Sequence, residues 1–306
     1  MTKFPTALGP GDLPPEVRAF HQAGALADNS RSAYWSDIQR FLDWGGNIPA
    51  EPKQVAGYLA AHSQSHKVST LTRWIVAIGR AHTNQALVDP TRSPIVRVFL
   101  RGLRQQQGNN TRQVKALFAV DVIAMASACG TRLKDVRDKA ILLIAFAGAL
   151  RRSECVNLAI ADVNEISQGL AICVHEQEGS TRPMRTVVVP FARGWICPVR
   201  AWRKWLEASG ITSGMAFRGI SRHGELSPRG LTPHGMALII KERVQSIGLD
   251  PNLYSGHSLR SGWIETASRE GIPSRIIRQH TGQGRLSVPE SPDGTPPLMA
   301  EVPSIL

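Results

Sequence analysis

Two groups of residues, far apart in the sequence, carry the side chains that phosphoryl transfer without a metal requires. The first is Arg151 with Glu154 three residues later, and the second is His257 with Arg260. A guanidinium can bind two phosphate oxygens and keeps its charge as negative charge grows in the transition state, whereas a histidine can move protons near neutral pH. The two groups together predict a phosphate-binding site.

Each group alone also has an ordinary structural explanation. An arginine and a glutamate after a helix commonly form a salt bridge, and a histidine at the start of a helix is commonly a cap. The positions of the predicted helices favour the phosphate site. A helix predicted at 133–147, which is apolar all round over 140–147, ends just before Arg151. A helix at 258–270 sets His257 and Arg260 side by side on one face, because they are three residues apart.

The elements that must position these residues are mainly helical. In the first part of the chain, apolar residues at helical spacing indicate four helices, with starts at Ser30, near Val55, at Ser69-Thr70 and at Ser93-Pro94. In the second part, helices are predicted at 121–128, 133–147, 198–208, 233–247, 258–270 and 273–280. Two strands rich in Val and Ile are predicted at 169–175 and 185–190, with a turn at 178–180.

A run without apolar residues at 105–113 indicates an exposed linker between two domains. After Gly284 the sequence is rich in proline and has no sustained period. We therefore expect a helical domain at 1–106, a linker at 107–114, a second domain at 115–283 and a disordered tail at 284–306. The fold class predicted is mainly α: a helical bundle followed by an α+β domain with a small hairpin sheet.

The charge of the chain favours a polyanionic partner. The formal net charge is +12, and residues 1–110 carry 12 basic against 7 acidic residues, which leaves 24 against 17 for the rest. Both parts are therefore basic, as suits a protein that contacts nucleic acid over a long surface. Charge alone is equally compatible with a basic protein that has no such partner.

Several other classes of function are disfavoured. The four cysteines form no CxxC pair and no histidines stand at zinc-ligand spacing, so we expect reduced thiols and no zinc site. The longest apolar run, 140–150, is far shorter than the roughly 20 residues that cross a bilayer. No secretory signal is visible at 1–15. These observations predict a cytoplasmic protein without a membrane partner.

Together and in this order, the two groups resemble the signature boxes of the tyrosine recombinases, the phage integrase family. Residues 148–154, Gly-Ala-Leu-Arg-Arg-Ser-Glu, are similar to the first arginine box of the family. Residues 255–262, Ser-Gly-His-Ser-Leu-Arg-Ser-Gly, look like its His-x-x-Arg box. The resemblance covers roughly residues 30–283.

The resemblance implies a fold, a reaction and partners. The expected architecture is a SAM-like helical core-binding domain and a catalytic domain of the DNA breaking-rejoining type. The expected reaction is DNA strand exchange through a 3′-phosphotyrosyl intermediate, without metal or cofactor. It takes place on double-stranded DNA in an assembly of four protomers on two sites. By resemblance, Arg151 and Arg260 would hold the scissile phosphate and His257 would assist proton transfer.

Three family positions differ in this chain. The lysine that protonates the leaving oxygen is absent, since no Lys occurs at 169–190; His175 stays open as a substitute, and Arg182 and Arg185 are poor ones because a guanidinium hardly releases its proton. Gln283 stands where the family has its second histidine, and an amide cannot exchange a proton. No tyrosine follows Tyr254, although the nucleophile is expected about nine residues after Gln283.

These departures leave more than one interpretation of the function. The one we favour is a DNA-binding member of the family that is defective in cleavage. It would be a remnant that interferes with an intact relative. The alternative is an active recombinase that uses an unconventional nucleophile or a tyrosine supplied by a partner. Formation of a covalent protein–DNA adduct by this chain alone would separate the two.

A shift of the reading frame near Gln283 would explain why the resemblance stops there, because the following sequence contains prolines where the family has a helix. The encoding DNA tests this hypothesis directly. Read in the other two frames downstream of codon 283, it should encode a basic helix that carries a tyrosine. The hypothesis is wrong if neither frame does.

Overall fold

The computed structural model describes residues 28–107, 114–175 and 185–283. The described residues form two compact units, 28–107 in the first and 114–175 with 185–283 in the second, and each unit has its own hydrophobic core. The turn predicted at 178–180 and the tail predicted at 284–306 lie outside the described residues. No described helix is long and apolar enough to cross a membrane.

The first unit is a bundle of the four helices that the apolar spacing predicts. They are α1 (Asp28–Asp43), α2 (Pro52–His62), α3 (Val68–Thr83) and α4 (Pro94–Gln107). Their apolar faces meet in a core that contains Phe41, Tyr58, Leu59, Trp74 and Ile78, all fully buried. Burial of these faces, rather than helix propensity alone, stabilises such short helices.

Three boundaries in this unit differ from the predictions. The predicted N-cap Ser30 lies inside α1, which begins at Asp28. The predicted cap Ser69-Thr70 lies inside α3, whose N-cap is Lys67. The helix α4 continues through Gln107, although its last residues were predicted to begin the linker. The physical reason is that the Gln107 amide binds the turn before α3: Oε1 accepts from the Val68 backbone N at 3.1 Å, and Nε2 donates to the Ser63 carbonyl at 2.7 Å.

The second unit combines seven helices with two small antiparallel sheets in the part of it that the structure describes. The helices are α5 (Ala119–Ser127), α6 (Leu133–Ala147), α7 (Arg152–Val156), α8 (Pro198–Ser209), α9 (Pro233–Ser246), α10 (Ser258–Arg269) and α11 (Ser274–Thr281). One sheet has the strand order β1 (Val163–Ile166), β2 (Gly169–Val174), β3 (Arg185–Pro190), and the other pairs β4 (Arg218–Ile220) with β5 (Leu226–Gly230).

The helix α6 lies at the centre of this unit, as its apolar sequence predicts. It packs against α5, α8 and α10, and all of its residues from Ala140 to Phe146 are buried. The mainly α fold with a small antiparallel sheet is thus confirmed. The sheet content was underestimated, because β1, β4 and β5 were not predicted. These strands have three to five residues and are partly exposed, so they show no clear alternation.

Two features of the backbone fix the segment that follows α6 and the first turns of α10. Ala149 turns the chain between α6 and α7 with φ of 44°, a left-handed conformation that is uncommon for a residue with a side chain. Gly262 in α10 packs so closely that a Cβ there would lie 1.7 Å from the Leu117 carbonyl oxygen. The first turns of α10 therefore sit directly against the core.

Candidate functional site

Glu154 organises the first turn of α7. Arg151 is the N-cap of this helix, and its backbone N donates to Glu154 Oε2 at 2.6 Å. The glutamate thus reaches back to the start of its own helix, as in a capping box. The Arg151 guanidinium also donates to Glu154 Oε1 through Nη1. The local sequence Arg-Arg-Ser-Glu therefore fixes both ends of this ion pair.

Two further arginines from distant parts of the chain approach the same carboxylate. Arg185, the first residue of β3, donates from Nη1 to Glu154 Oε1 and from Nη2 to Oε2, each at 2.9 Å. Arg260 in α10 places Nη1 3.9 Å from Glu154 Oε2, and it also donates to the Ala149 carbonyl at 2.7 Å. Three guanidiniums therefore surround one carboxylate.

The C-terminal end of α11 contacts the same three arginines. Its carbonyl oxygens are left without helical partners at this end and carry the negative part of the helix dipole. Arg185 Nε donates to the His280 carbonyl at 3.4 Å, Arg260 Nη2 to the Thr281 carbonyl at 2.6 Å, and Arg151 Nη2 to the Gly282 carbonyl at 3.2 Å. Three successive carbonyls thus accept from three different guanidiniums.

The electrostatics of this cluster favour an anion. Burial raises the pKa of Glu154, but the hydrogen bond and charge of Arg185, together with those of Arg151, outweigh it and lower that pKa to about 2. The carboxylate is therefore ionised at neutral pH and balances one of three positive charges. The surplus positive charge sits in partly buried surroundings, where it acts more strongly than in water.

His257 stands beside the arginines at the start of α10 and is exposed to solvent. Partial burial lowers its pKa, and the charges of Arg152, Arg260 and Arg151 lower it further. No hydrogen bond from a described residue engages its ring. A neutral imidazole in this position can accept a proton at neutral pH.

The two sequence boxes are in direct contact. Gly256 leaves room for the Arg152 side chain, because a Cβ at position 256 would lie 2.5 Å from Arg152 Cδ. The structure therefore brings together Arg151, His257 and Arg260, which the sequence analysis singled out from segments about a hundred residues apart.

The other candidates lie differently. Gln283 follows α11 with an exposed side chain, and its backbone N donates to the Arg278 carbonyl. His175 Nε2 pairs with Asp162 Oδ1 at 2.8 Å. His280, in the last turn of α11, is buried against the Trp263 ring, and the two ring centroids are 4.3 Å apart. Burial lowers the pKa of His280 to about 4.

Arg185 is the residue that sequence reasoning missed at this site. The sequence analysis considers Arg185 only as a substitute for the lysine that donates a proton, and a guanidinium is a poor proton donor. Its actual partner, Glu154, is 31 residues away, and the pairing depends on where β3 lies relative to α7. The only signal in the sequence was a basic residue at the start of a predicted strand.

The surroundings of the three tyrosines of the chain differ from one another. Tyr254 is 8% exposed, and burial raises the pKa of its hydroxyl. Tyr58 is buried in the core of the first unit, and burial raises its pKa to about 12. Tyr34, also in the first unit, lies under the Arg80 guanidinium at 5.5 Å. A buried hydroxyl with a raised pKa is a poor nucleophile.

Comparison with known protein sequences gives one family and two relatives. Residues 115–287 match the pattern of the Phage integrase family. An integrase/recombinase xerD homolog from Selenomonas ruminantium is 31% identical over 266 residues, which cover 83% of this chain and 78% of that protein. Recombinase cre from Escherichia phage P1 is 22% identical and covers 79% and 75% of the two chains.

Comparison with solved structures agrees with these sequences. A lambda integrase tetramer bound to a Holliday junction matches with a TM-score of 0.59 at 13% identity. The match covers 88% of this chain and 76% of that one. At this identity, the likeness supports a shared fold.

Replacement of Glu154 tests the electrostatic account. In the folded protein its pKa of about 2 lies below the ordinary 4.5, so ionised Glu154 stabilises the fold above pH 4.5, and this contribution is lost as the pH falls toward 2. Glu154→Gln should lower the free energy of unfolding at pH 7 by about 3 kcal/mol, since three guanidiniums lose their counter-charge. It should also remove this acid-dependent loss. Urea unfolding between pH 3 and 7 measures both.

The matched control is Glu165→Gln. Glu165 also pairs with an arginine, Arg203, but both side chains are exposed. We expect little change in this variant, because exposed ion pairs contribute little to stability. Equal effects of the two substitutions would contradict the central role of Glu154.

Proposed function

The chain belongs to the phage integrase family of tyrosine recombinases, and on that premise we propose that it binds duplex DNA without cleaving it. Arg151 binds a backbone phosphate, and the buried Arg260 guanidinium adds positive charge to the same site. His257 stands beside that phosphate. The protein acts in the cytoplasm on the recombination sites of an intact relative, with whose strand exchange it interferes.

One observation carries the proposal: three guanidiniums converge on Glu154 and leave a surplus of positive charge next to an exposed histidine. A guanidinium fork matches the oxygens of a phosphodiester and stays charged at every physiological pH. Arg151 is the most exposed of the three, with 26% of its side chain accessible. It is therefore the one best placed to meet a ligand from solvent.

Cleavage needs two groups that this chain does not supply. In the family reaction, a tyrosine oxygen forms a bond to phosphorus, the bond to the 5′ oxygen breaks, and an acid protonates that oxygen. Residues 284–306, where the family tyrosine is expected, contain no tyrosine, and residues 169–190 contain no lysine. His257 can accept a proton, but it provides no attacking hydroxyl. Phosphate binding can therefore persist while the covalent step is lost.

The assembly is part of the proposal. The lambda integrase to which the chain is similar forms a tetramer bound to a Holliday junction. We propose that this chain likewise binds one half of a recombination site and takes a place among four protomers on two sites. Neither binding nor placement in the assembly requires a metal or a cofactor.

Arg151→Gln tests the assignment of the phosphate. Arg151 is preferred to Arg260, which is only 6% exposed and holds the carbonyls of Ala149 and Thr281. On a duplex selected by the wild-type protein from a random pool, the variant should bind about tenfold more weakly. The slope of affinity against salt should fall by about one, because one phosphate contact is removed.

Arg203→Gln is the control, since Arg203 is an exposed arginine paired with Glu165 in the same unit. It should bind as the wild type does. The proposal is overturned if the wild-type protein shows no salt-dependent binding to the duplex. Equal binding by Arg151→Gln and the wild type would also overturn it.

A further inference from the structure

Arg185 holds both oxygens of Glu154 at once. Its Nη1 and Nη2 each donate over 2.9 Å, one to each oxygen, so the guanidinium and carboxylate planes are fixed relative to each other. The Arg185 side chain is 13% exposed, and its Nε faces the His280 carbonyl. All three of its nitrogens are directed at acceptors of the protein.

Glu154 in turn determines the direction of Arg151. The Arg151 backbone N and Nη1 both donate to this carboxylate, and the other side-chain contact of Arg151 among the described residues is the Gly282 carbonyl. The capping bond from the Arg151 backbone N holds only Oε2, so the carboxylate could still rotate about that contact without a second anchor. The clamp from Arg185 removes that freedom.

Space for this arrangement is built into the end of α11. Gly282 caps α11 with φ of 63°, and a Cβ at this position would lie 2.9 Å from Arg185 Nη1. A larger residue would push the guanidinium away from Glu154. Strand β3 and the end of α11 therefore meet at the Arg185 side chain.

We propose that Arg185 is a positioning residue: by clamping both oxygens of Glu154, it sets the direction in which the Arg151 guanidinium meets a bound phosphate. This inference rests on the proposed function, because it assigns to Arg151 a phosphate of duplex DNA. It gives Arg185 a role that differs from proton donation. It also differs from a salt bridge that only joins β3 to α7, for which any cation would serve.

A double-mutant cycle between positions 151 and 185 tests the proposal. Arg185→Lys keeps the charge but cannot form the two parallel hydrogen bonds. In the wild-type background it should weaken binding to the selected duplex by roughly tenfold, within the usual range of coupling between residues of one hydrogen-bond network. In the Arg151→Gln background it should have almost no effect, since the guanidinium to be positioned is gone.

Two further variants complete the experiment. Arg203→Lys breaks the same kind of arginine–glutamate fork at an exposed place and should leave affinity unchanged. Arg185→Gln, which can still donate one hydrogen bond to Glu154, is the second variant at the site in case the lysine variant does not fold. Thermal unfolding of each protein establishes that affinity is compared between folded proteins.

The outcomes separate the two claims. If Arg185→Lys weakens binding by the same factor in both backgrounds, or has no effect in the wild type, Arg185 does not act through Arg151 and the inference is overturned. If the wild-type protein itself fails to bind duplex DNA, the proposed function is overturned and the inference falls with it. A loss confined to the background that contains Arg151 supports both.

Discussion

The carboxylate of Glu154 is the interaction on which the site depends. Three guanidiniums repel one another, and they can lie together only because one buried anion accepts hydrogen bonds from two of them and lies 3.9 Å from the third. Burial of that anion is unfavourable by itself, and the arginines outweigh the unfavourable term. The result is a preformed cationic surface, whose positive surplus is available to a ligand before any ligand arrives.

The fold provides this arrangement through three separate segments. The turn at Ala149 directs α7 away from the central helix, the start of β3 supplies Arg185, and α10 supplies Arg260. The carbonyl groups at the end of α11 accept hydrogen bonds from all three arginines. Such a site depends on the tertiary structure of the second unit, because its residues come from segments that are far apart in the sequence.

The sequence predicted the parts of the site that are local. Arg151 and Glu154 lie within one helical turn, and so do His257 and Arg260, so spacing alone placed each pair on one face. Arg185 escaped prediction because its pairing with Glu154 depends on the packing of a strand against a short helix. The helix α6 was predicted to the residue, because its sequence is apolar all round over 140–147 and such a helix must be buried. The strands β1, β4 and β5 were missed because they are too short to show a clear alternation of apolar and polar residues.

The claim that this chain binds a scissile phosphate but cannot attack it is tested most directly with a nicked suicide duplex, in which a cleaved strand cannot be rejoined. The duplex carries a site that the protein selects, and the products are separated under denaturing conditions. The account predicts a complex that forms at low salt and leaves no protein attached to DNA after denaturation. A covalent adduct formed by this chain alone would contradict it.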